Sequence, residues 1–259
     1  MTETAFDPPP RPARRRVSVA LLAMIVVTLV GLGLAGYGFV SLLGYQRLVY
    51  PGGAMGATFA KSAVLLAKDA KGTAEYRRGD IVIVDLGALT GEPGADQGLG
   101  VTRIIGIAGD KVGCCTDKGH ITVNGTEIVE TYATIPSAGQ MAFEATVAPD
   151  SVFLAGDDRD GAVDSRLFAD GPGGGSVKLS ALRGRVVATG NVLAPELLEP
   201  TAAFAGLGAK SEVDNGLPML RTLVLLGGIV AGVGVIGVIV FAVRAGGRRR
   251  KAAAGPPVR

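Results

Sequence analysis

Residues Gly156–Arg166 read GDDRDGAVDSR. The stretch follows Val152–Ala155, an apolar run with the look of a buried strand, and it places Asp157, Asp158, Asp160 and Asp164 beside Arg159 and Arg166. A guanidinium offers a planar fork of donors that matches a carboxylate, so this density predicts bidentate pairing inside the segment. Taken alone, the string reads equally well as an acidic surface turn, because exposed ion pairs are common and weak. The rest of the chain decides between these readings.

Outward from this stretch, the segment between residues 44 and 190 reads as short β-branched runs separated by turns. Val64–Ala67, Ile81–Val84 and Val101–Ile107 are strand candidates. Ile121–Val123 and Thr126–Val129 flank Asn124-Gly125, a dipeptide suited to a type I′ hairpin turn. Arg185–Thr189 is expected to end the β part, with residues 191–220 as a linker. Strands do not alternate with helical patterns, so the expected fold is a mainly β domain with long loops.

Two apolar runs bracket this domain, at residues 17–40 and 222–243. Each exceeds the roughly 20 residues that cross a hydrocarbon core of about 30 Å. The first is too long for a cleaved secretory or twin-arginine signal and lacks an A-x-A ending, so it reads as an uncleaved anchor. Arg11, Arg14, Arg15 and Arg16 precede it, and Arg244, Arg248, Arg249, Arg250 and Lys251 follow the second run. Basic residues beside a span stay in the cytoplasm. The expected topology is therefore two spans, basic cytoplasmic tails at 1–16 and 244–259, and an extracytoplasmic main domain. The tails suit an anionic lipid surface. Residues 45–219 carry 15 basic and 21 acidic side chains, a net charge of −6 within a chain of net +3, which argues against nucleic acid as a partner.

The chain has one histidine, His120, and two neighbouring cysteines, Cys114 and Cys115. This makes a Ser-His-Asp hydrolase or a zinc site of the usual spacing hard to build, and no cofactor is expected. The cysteines either close a vicinal ring or remain small buried thiols; the second is the expectation. His120 is expected at a strand start with no role. Abundant Gly and Ala with no Trp point to a GC-rich bacterial genome.

Gly156–Arg166 resembles the last signature of the type I signal peptidases, G-D-N-R-x-x-S-x-D-S-R. Gly156, Asp157, Arg159, Asp164, Ser165 and Arg166 match it, whereas Asp158 stands for asparagine and Ala162 for the first serine. Arg78–Val84 (RGDIVIV, with Arg78, Gly79 and Asp80) resembles the family's R-G-D-I-V strand, and Arg103–Asp110 (RIIGIAGD) resembles R-V-I-G-x-x-G-D. The strings fall in the family's order from about Gly44 to Gly190. The resemblance implies a signal-peptidase-like extracytoplasmic β domain, here with an N-terminal and a C-terminal transmembrane helix. It also implies an enzyme that cuts the signal segment from exported preproteins with a Ser–Lys dyad. Serine needs an adjacent base, and lysine serves only when burial lowers its pKa from about 10.4 to about 7, which costs about 4 kcal/mol.

This chain departs from that pattern at the chemistry. The nucleophile string S-M-x-P-T lies over Ala54–Thr58, which puts Ala54 at the nucleophile and Ala57 at the proline. Thr102 occupies the position of the base lysine, and Ala162 that of the serine orienting it. Gly52 falls where some members lend a hydroxyl to the oxyanion hole. Losing one member of such a unit costs about 10⁶ in rate. Three coordinated losses imply a pseudopeptidase that binds precursors or a working peptidase, in a groove for an extended peptide with small residues. Two alternatives stand beside it. One is an active peptidase with displaced groups, for which Thr58, Ser62 and Lys61 are the candidates. The other is an unrelated membrane β-module with an envelope role.

Overall fold

The structure is a computed structural model that describes all residues except 1–17, 57, 69–75, 91–97, 135–141, 209–212 and 254–259, with backbone only for 248–253. The chain divides into two units, residues 40–221 and a unit of residues 1–39 with 222–259.

The larger unit is built on antiparallel strands. These are β1 (Tyr45–Val49), β2 (Val64–Lys68), β3 (Ile81–Asp85), β4 (Leu99–Ile107), β5 (Lys111–Cys114), β6 (Ile121–Val123), β7 (Thr126–Glu127), β8 (Phe143–Thr146), β9 (Ser151–Ala155), β10 (Val177–Lys178), β11 (Leu182–Asn191) and β12 (Ala194–Leu197). The main sheet runs β1-β2-β11-β3-β4-β9-β10, with β12 added to β11; a smaller sheet runs β7-β6-β5-β8. The Asn124-Gly125 turn joins β6 to β7 with positive φ at both residues, as that dipeptide allows.

The buried strands β3, β4 and β9 carry apolar side chains on both faces, which explains their continuous rather than alternating hydrophobicity. One face packs Val82, Val84, Ile104 and Leu154 against Leu86 and Leu89 of a one-turn helix, α2 (Leu86–Leu89). The other packs Ile81, Ile83 and Val101 against Tyr50, Met55 and Phe59 from the loop after β1. The small sheet closes over Ile105 and Phe153, where Phe143 stacks on Phe153 at 5.5 Å.

Several elements differ from expectation. The β part does not end at Thr189: β11 continues to Asn191 and β12 folds back on it. The 3₁₀ turn Ala202–Leu207 then sends Phe204 into the core, 1% exposed, so much of the expected linker is domain. Its composition is mixed because only one face of each short piece is buried. His120 precedes β6, but its Nδ1 lies 2.7 Å from Glu127 Oε1, giving it a partner across the hairpin. Cys114 and Cys115 are not buried thiols. They form a vicinal disulfide at the end of β5, where the chain leaves the sheet, with Cys115 exposed. The expected loops at 69–75 and 91–97 lie outside the described residues.

Two helices are long and apolar enough to cross a membrane: α1 (Val19–Leu42), and residues Gly216–Gly247 of α3 (Gly216–Ala253). The second begins six residues before the apolar run, its first turn capped by Asp214 Oδ1, which accepts from Gly216 N at 2.8 Å. In the smaller unit the helices approach closely through small residues. A Cβ on Gly31 would collide with the backbone of Ala231 and Gly227, and one on Gly227 with that of Ala35. Small residues at this spacing let backbones meet where lipid supplies no hydrophobic drive.

Candidate functional site

The loop after β1 carries position 54 and is pinned at several points. Tyr50, 2% exposed, accepts a hydrogen bond from Met55 N on its phenol oxygen at 2.8 Å and meets Phe59 edge-on at 5.8 Å. Burial, with Asp157 and Asp158 nearby, pushes the Tyr50 phenol up despite the Met55 N–H. Gly52 and Gly53 have φ of 96° and 100°, conformations that a side chain would strain.

Position 162 reaches the same place from the other side. After β9 the chain turns at Gly156, and Asp158 N donates to Ala54 O at 2.9 Å while Ala162 N donates to Asp158 O at 3.0 Å. A Cβ on Gly156 would collide with Ala54 O and lie 2.5 Å from the Ala162 methyl and 3.0 Å from the Ala54 methyl. Only glycine allows the two loops to meet there.

Position 102 comes from β4. Thr102 pairs with Val82 of β3, which puts it on the sheet face of Val82 and Ile104. That face is apolar, so Thr102, 3% exposed, has a hydroxyl oxygen with no hydrogen-bond partner. Thr102 and Ala54 line one groove of about 170 Å³ together with Pro51, Gly52, Val84, Leu86, Leu89, Leu99, Gly100, Val101 and Val163. The structure therefore gathers positions 54, 102 and 162, separated by more than a hundred residues of chain, around one spot.

The candidate substitutes are placed differently. Thr58 donates its hydroxyl to Asp157 Oδ2 at 2.6 Å. Ser62 is exposed, with φ of 68°. Lys61 is exposed, but its stem passes the groove rim: a Cβ on Gly52 would lie 3.5 Å from Lys61 Cγ and 4.0 Å from Cε. Ala57 lies outside the described residues. No group of three or more His, Cys, Asp or Glu among the described residues is placed to hold a metal.

A buried polar frame supports this spot. Arg103 donates from Nε and Nη2 to Asp157 at 2.8 and 2.6 Å and from Nη1 to Gly79 O at 2.9 Å. Its guanidinium also lies 3.9 Å over the Tyr132 ring. Arg166 holds Asp164 bidentately at 2.9 and 2.8 Å, and Asp164 Oδ2 accepts from Gly156 N. Arg166 Nη2 also donates to Arg159 O at 3.0 Å, and Arg159 Nη2 donates to Glu130 Oε1 at 2.7 Å. Arg78 grips Asp110 at 2.7 and 2.6 Å. Burial alone would raise the Asp110 carboxyl, but Arg78, Ile107 N and the Asn124 amide outweigh it and hold it below the usual range. Burial raises the Asp80 carboxyl against the pull of Arg185 and the Arg77 N–H.

Within the eleven-residue stretch Asp164 pairs with Arg166. Asp157 and Arg159 turn instead to Arg103 and Glu130, and Asp157, Arg159, Asp164 and Arg166 are at most 9% exposed, so the stretch is no surface turn. Residues without a signal in the sequence complete the frame: Glu130, Tyr132 and Thr134, whose hydroxyl accepts from Arg159 N at 2.8 Å. They lie in a polar stretch with no periodicity.

Residues 18–190 match the family described as signal peptidase, peptidase S26. The chain belongs to the S26 signal peptidase family. Twenty-one chains of solved structures match, among them one of a signal peptidase I from Enterococcus faecalis V583. That chain is 21% identical, with 43% of this chain and 96% of that one covered and a TM-score of 0.33. No curated protein matches. Membership removes the reading as an unrelated β-module. This S26 member keeps the frame of the family's signatures and presents two methyls and a threonine at the positions the resemblance assigns to the chemistry.

Proposed function

We propose that this S26 member is a membrane-anchored pseudopeptidase that binds an extended segment of exported preproteins, or a working signal peptidase, without cutting. One observation carries the reading: Ala54 and Thr102 share a groove, Ala162 meets Ala54 over Gly156, and none of the three offers a nucleophile or a base. A methyl cannot attack a carbonyl, and a threonine hydroxyl is no base at neutral pH. The basic ends lie in the cytoplasm against anionic lipid, and the β domain lies outside. The test is incubation of the purified full chain, in detergent, with a precursor whose signal segment ends in A-x-A. No cleavage is expected. Cleavage that disappears in Thr58→Ala or Ser62→Ala overturns the proposal.

A second reading, an active peptidase with displaced groups, draws on the Lys61 stem beside Gly52. It is weakened by the exposure of Lys61 to solvent and by the commitment of the Thr58 hydroxyl to Asp157. Labelling by a serine-directed acylating inhibitor, abolished in Lys61→Met, would favour it.

A further inference from the structure

Away from the groove, the small sheet carries a second reactive group. We propose that the Cys114–Cys115 disulfide is a thiol-exchange site, which takes two electrons from a dithiol that attacks the Cys115 sulfur.

The bond has little to do for the fold. A cross-link stabilises mainly by restricting the unfolded chain, and the gain grows with the length of the loop it closes. Cys114 and Cys115 are neighbours in sequence and enclose no loop. The hairpin around them is held by other means. Cys114 pairs with Ile121 of β6 and Phe143 of β8, and it packs against the cluster of Val112 and Phe143. Beyond Cys115, Thr116 N donates to His120 O at 2.9 Å and Gly119 N to Thr116 O at 2.8 Å. The Thr116 hydroxyl donates to Glu127 Oε1 at 3.2 Å, the same oxygen that meets His120 Nδ1.

The two sulfurs are also unequal. Cys114 ends a strand and is half-buried, whereas Cys115 opens the exposed turn at 115–119. Access decides which sulfur is attacked, and exposed disulfides are the labile ones. In the proposed extracytoplasmic location the pair would stay oxidised until a specific donor reached it.

The exchange balances as follows. A thiolate of the dithiol attacks Cys115 Sγ, the Cys114–Cys115 bond breaks, and Cys114 leaves as a thiolate that takes a proton from water. The second thiolate of the dithiol then attacks its own sulfur in the mixed disulfide. Cys115 leaves and is protonated in turn. The dithiol becomes a cyclic disulfide and loses two electrons, and the cysteine pair gains two electrons and two protons. A monothiol has no second sulfur, and the Cys114 thiolate one residue away expels it and recloses the bond, because the two sulfurs are held together. The donor class is therefore a dithiol.

The test uses the full chain purified in detergent micelles without reductant. Dithiothreitol is added to the native protein, samples are quenched with iodoacetamide, and intact-mass spectrometry counts the alkylated cysteines. Before dithiothreitol neither cysteine should react, even in denaturant. Afterwards both should react, with native reduction within about 10-fold of the rate in guanidinium chloride. Alkylation in denaturant before any dithiol overturns the disulfide and the proposal with it. Reduction confined to the denatured chain overturns the exchange site. Glutathione at the same thiol concentration should leave no adduct, and a stable adduct overturns the choice of a dithiol. In freshly reduced Cys114→Ser, Cys115 should be alkylated about 10-fold faster than Cys114 is in Cys115→Ser. Equal rates or the reverse order overturn the point of attack. The double variant Cys114→Ser, Cys115→Ser should melt within about 4 °C of the parent. A larger fall makes the bond a structural one and overturns the proposal.

Discussion

Arg103 of β4 holds Asp157 through two hydrogen bonds, Nε to Oδ1 at 2.8 Å and Nη2 to Oδ2 at 2.6 Å, with both side chains buried. The pair ties the strand that carries Thr102 to the loop that carries Ala162. It also accepts the Thr58 hydroxyl, so all three segments of the candidate site meet at one carboxylate. Removing one partner leaves the other charge buried and unpaired. Arg103→Ala should therefore cost about 3–5 kcal/mol in denaturant unfolding of the full chain in detergent. Arg103→Lys should recover only part of this, because an ammonium cannot make the fork.

Gly156 is the point where the two loops touch. Its absent Cβ is what lets the Ala54 and Ala162 methyls share that space. Gly156→Ala should cost about 1–3 kcal/mol through forced backbone shifts. The same loops should show faster amide exchange at Asp158, whose N–H donates to Ala54 O across them, and at Ala162, whose N–H donates to Asp158 O within the second loop. Normal exchange there would place the clash elsewhere.

If chemistry was lost only at the three replaced positions, restoring one is not enough. Ala54→Ser alone should give no cleavage of an A-x-A precursor, since the hydroxyl finds no base. The triple variant Ala54→Ser, Thr102→Lys, Ala162→Ser should exceed the single one by about 10²–10⁴-fold, the usual contribution of a positioned base. The sheet face around Val82 and Ile104 would desolvate that lysine and depress its pKa. Equal rates for the triple and single variants would count against the positional reading.

Acid should weaken the fold through Asp110. Its carboxyl titrates below the ordinary value of 3.8 in the folded state, so the unfolded chain binds the proton more readily. The stabilisation is thus complete above the unfolded value and disappears as pH falls through the folded one. Asp110→Asn should cost about 1–3 kcal/mol at pH 7. Thermal melts should show that difference shrinking below about pH 4, and a constant difference from pH 7 to pH 3 would contradict the assignment.

Much was legible in the residues alone. The β-branched runs marked β2, β3, β4 and β9 because a strand buried on both faces must be apolar throughout, and Asn124-Gly125 marked its hairpin because few residues accept positive φ. The two long apolar helices were legible because each is a long uncharged run, and the family was legible because its signatures are local strings. Tertiary structure decided what depends on distant residues meeting. It paired Asp157 with Arg103 and Arg159 with Glu130, and turned an apparent linker into β12 and a core turn. It also brought Ala54 and Thr102 to one groove, set Ala162 against Ala54 over Gly156, and left the Thr102 hydroxyl without a partner. Local composition fixes which backbone conformation a segment prefers, whereas the partner of a buried charge and the volume of a groove are set by segments a hundred residues apart.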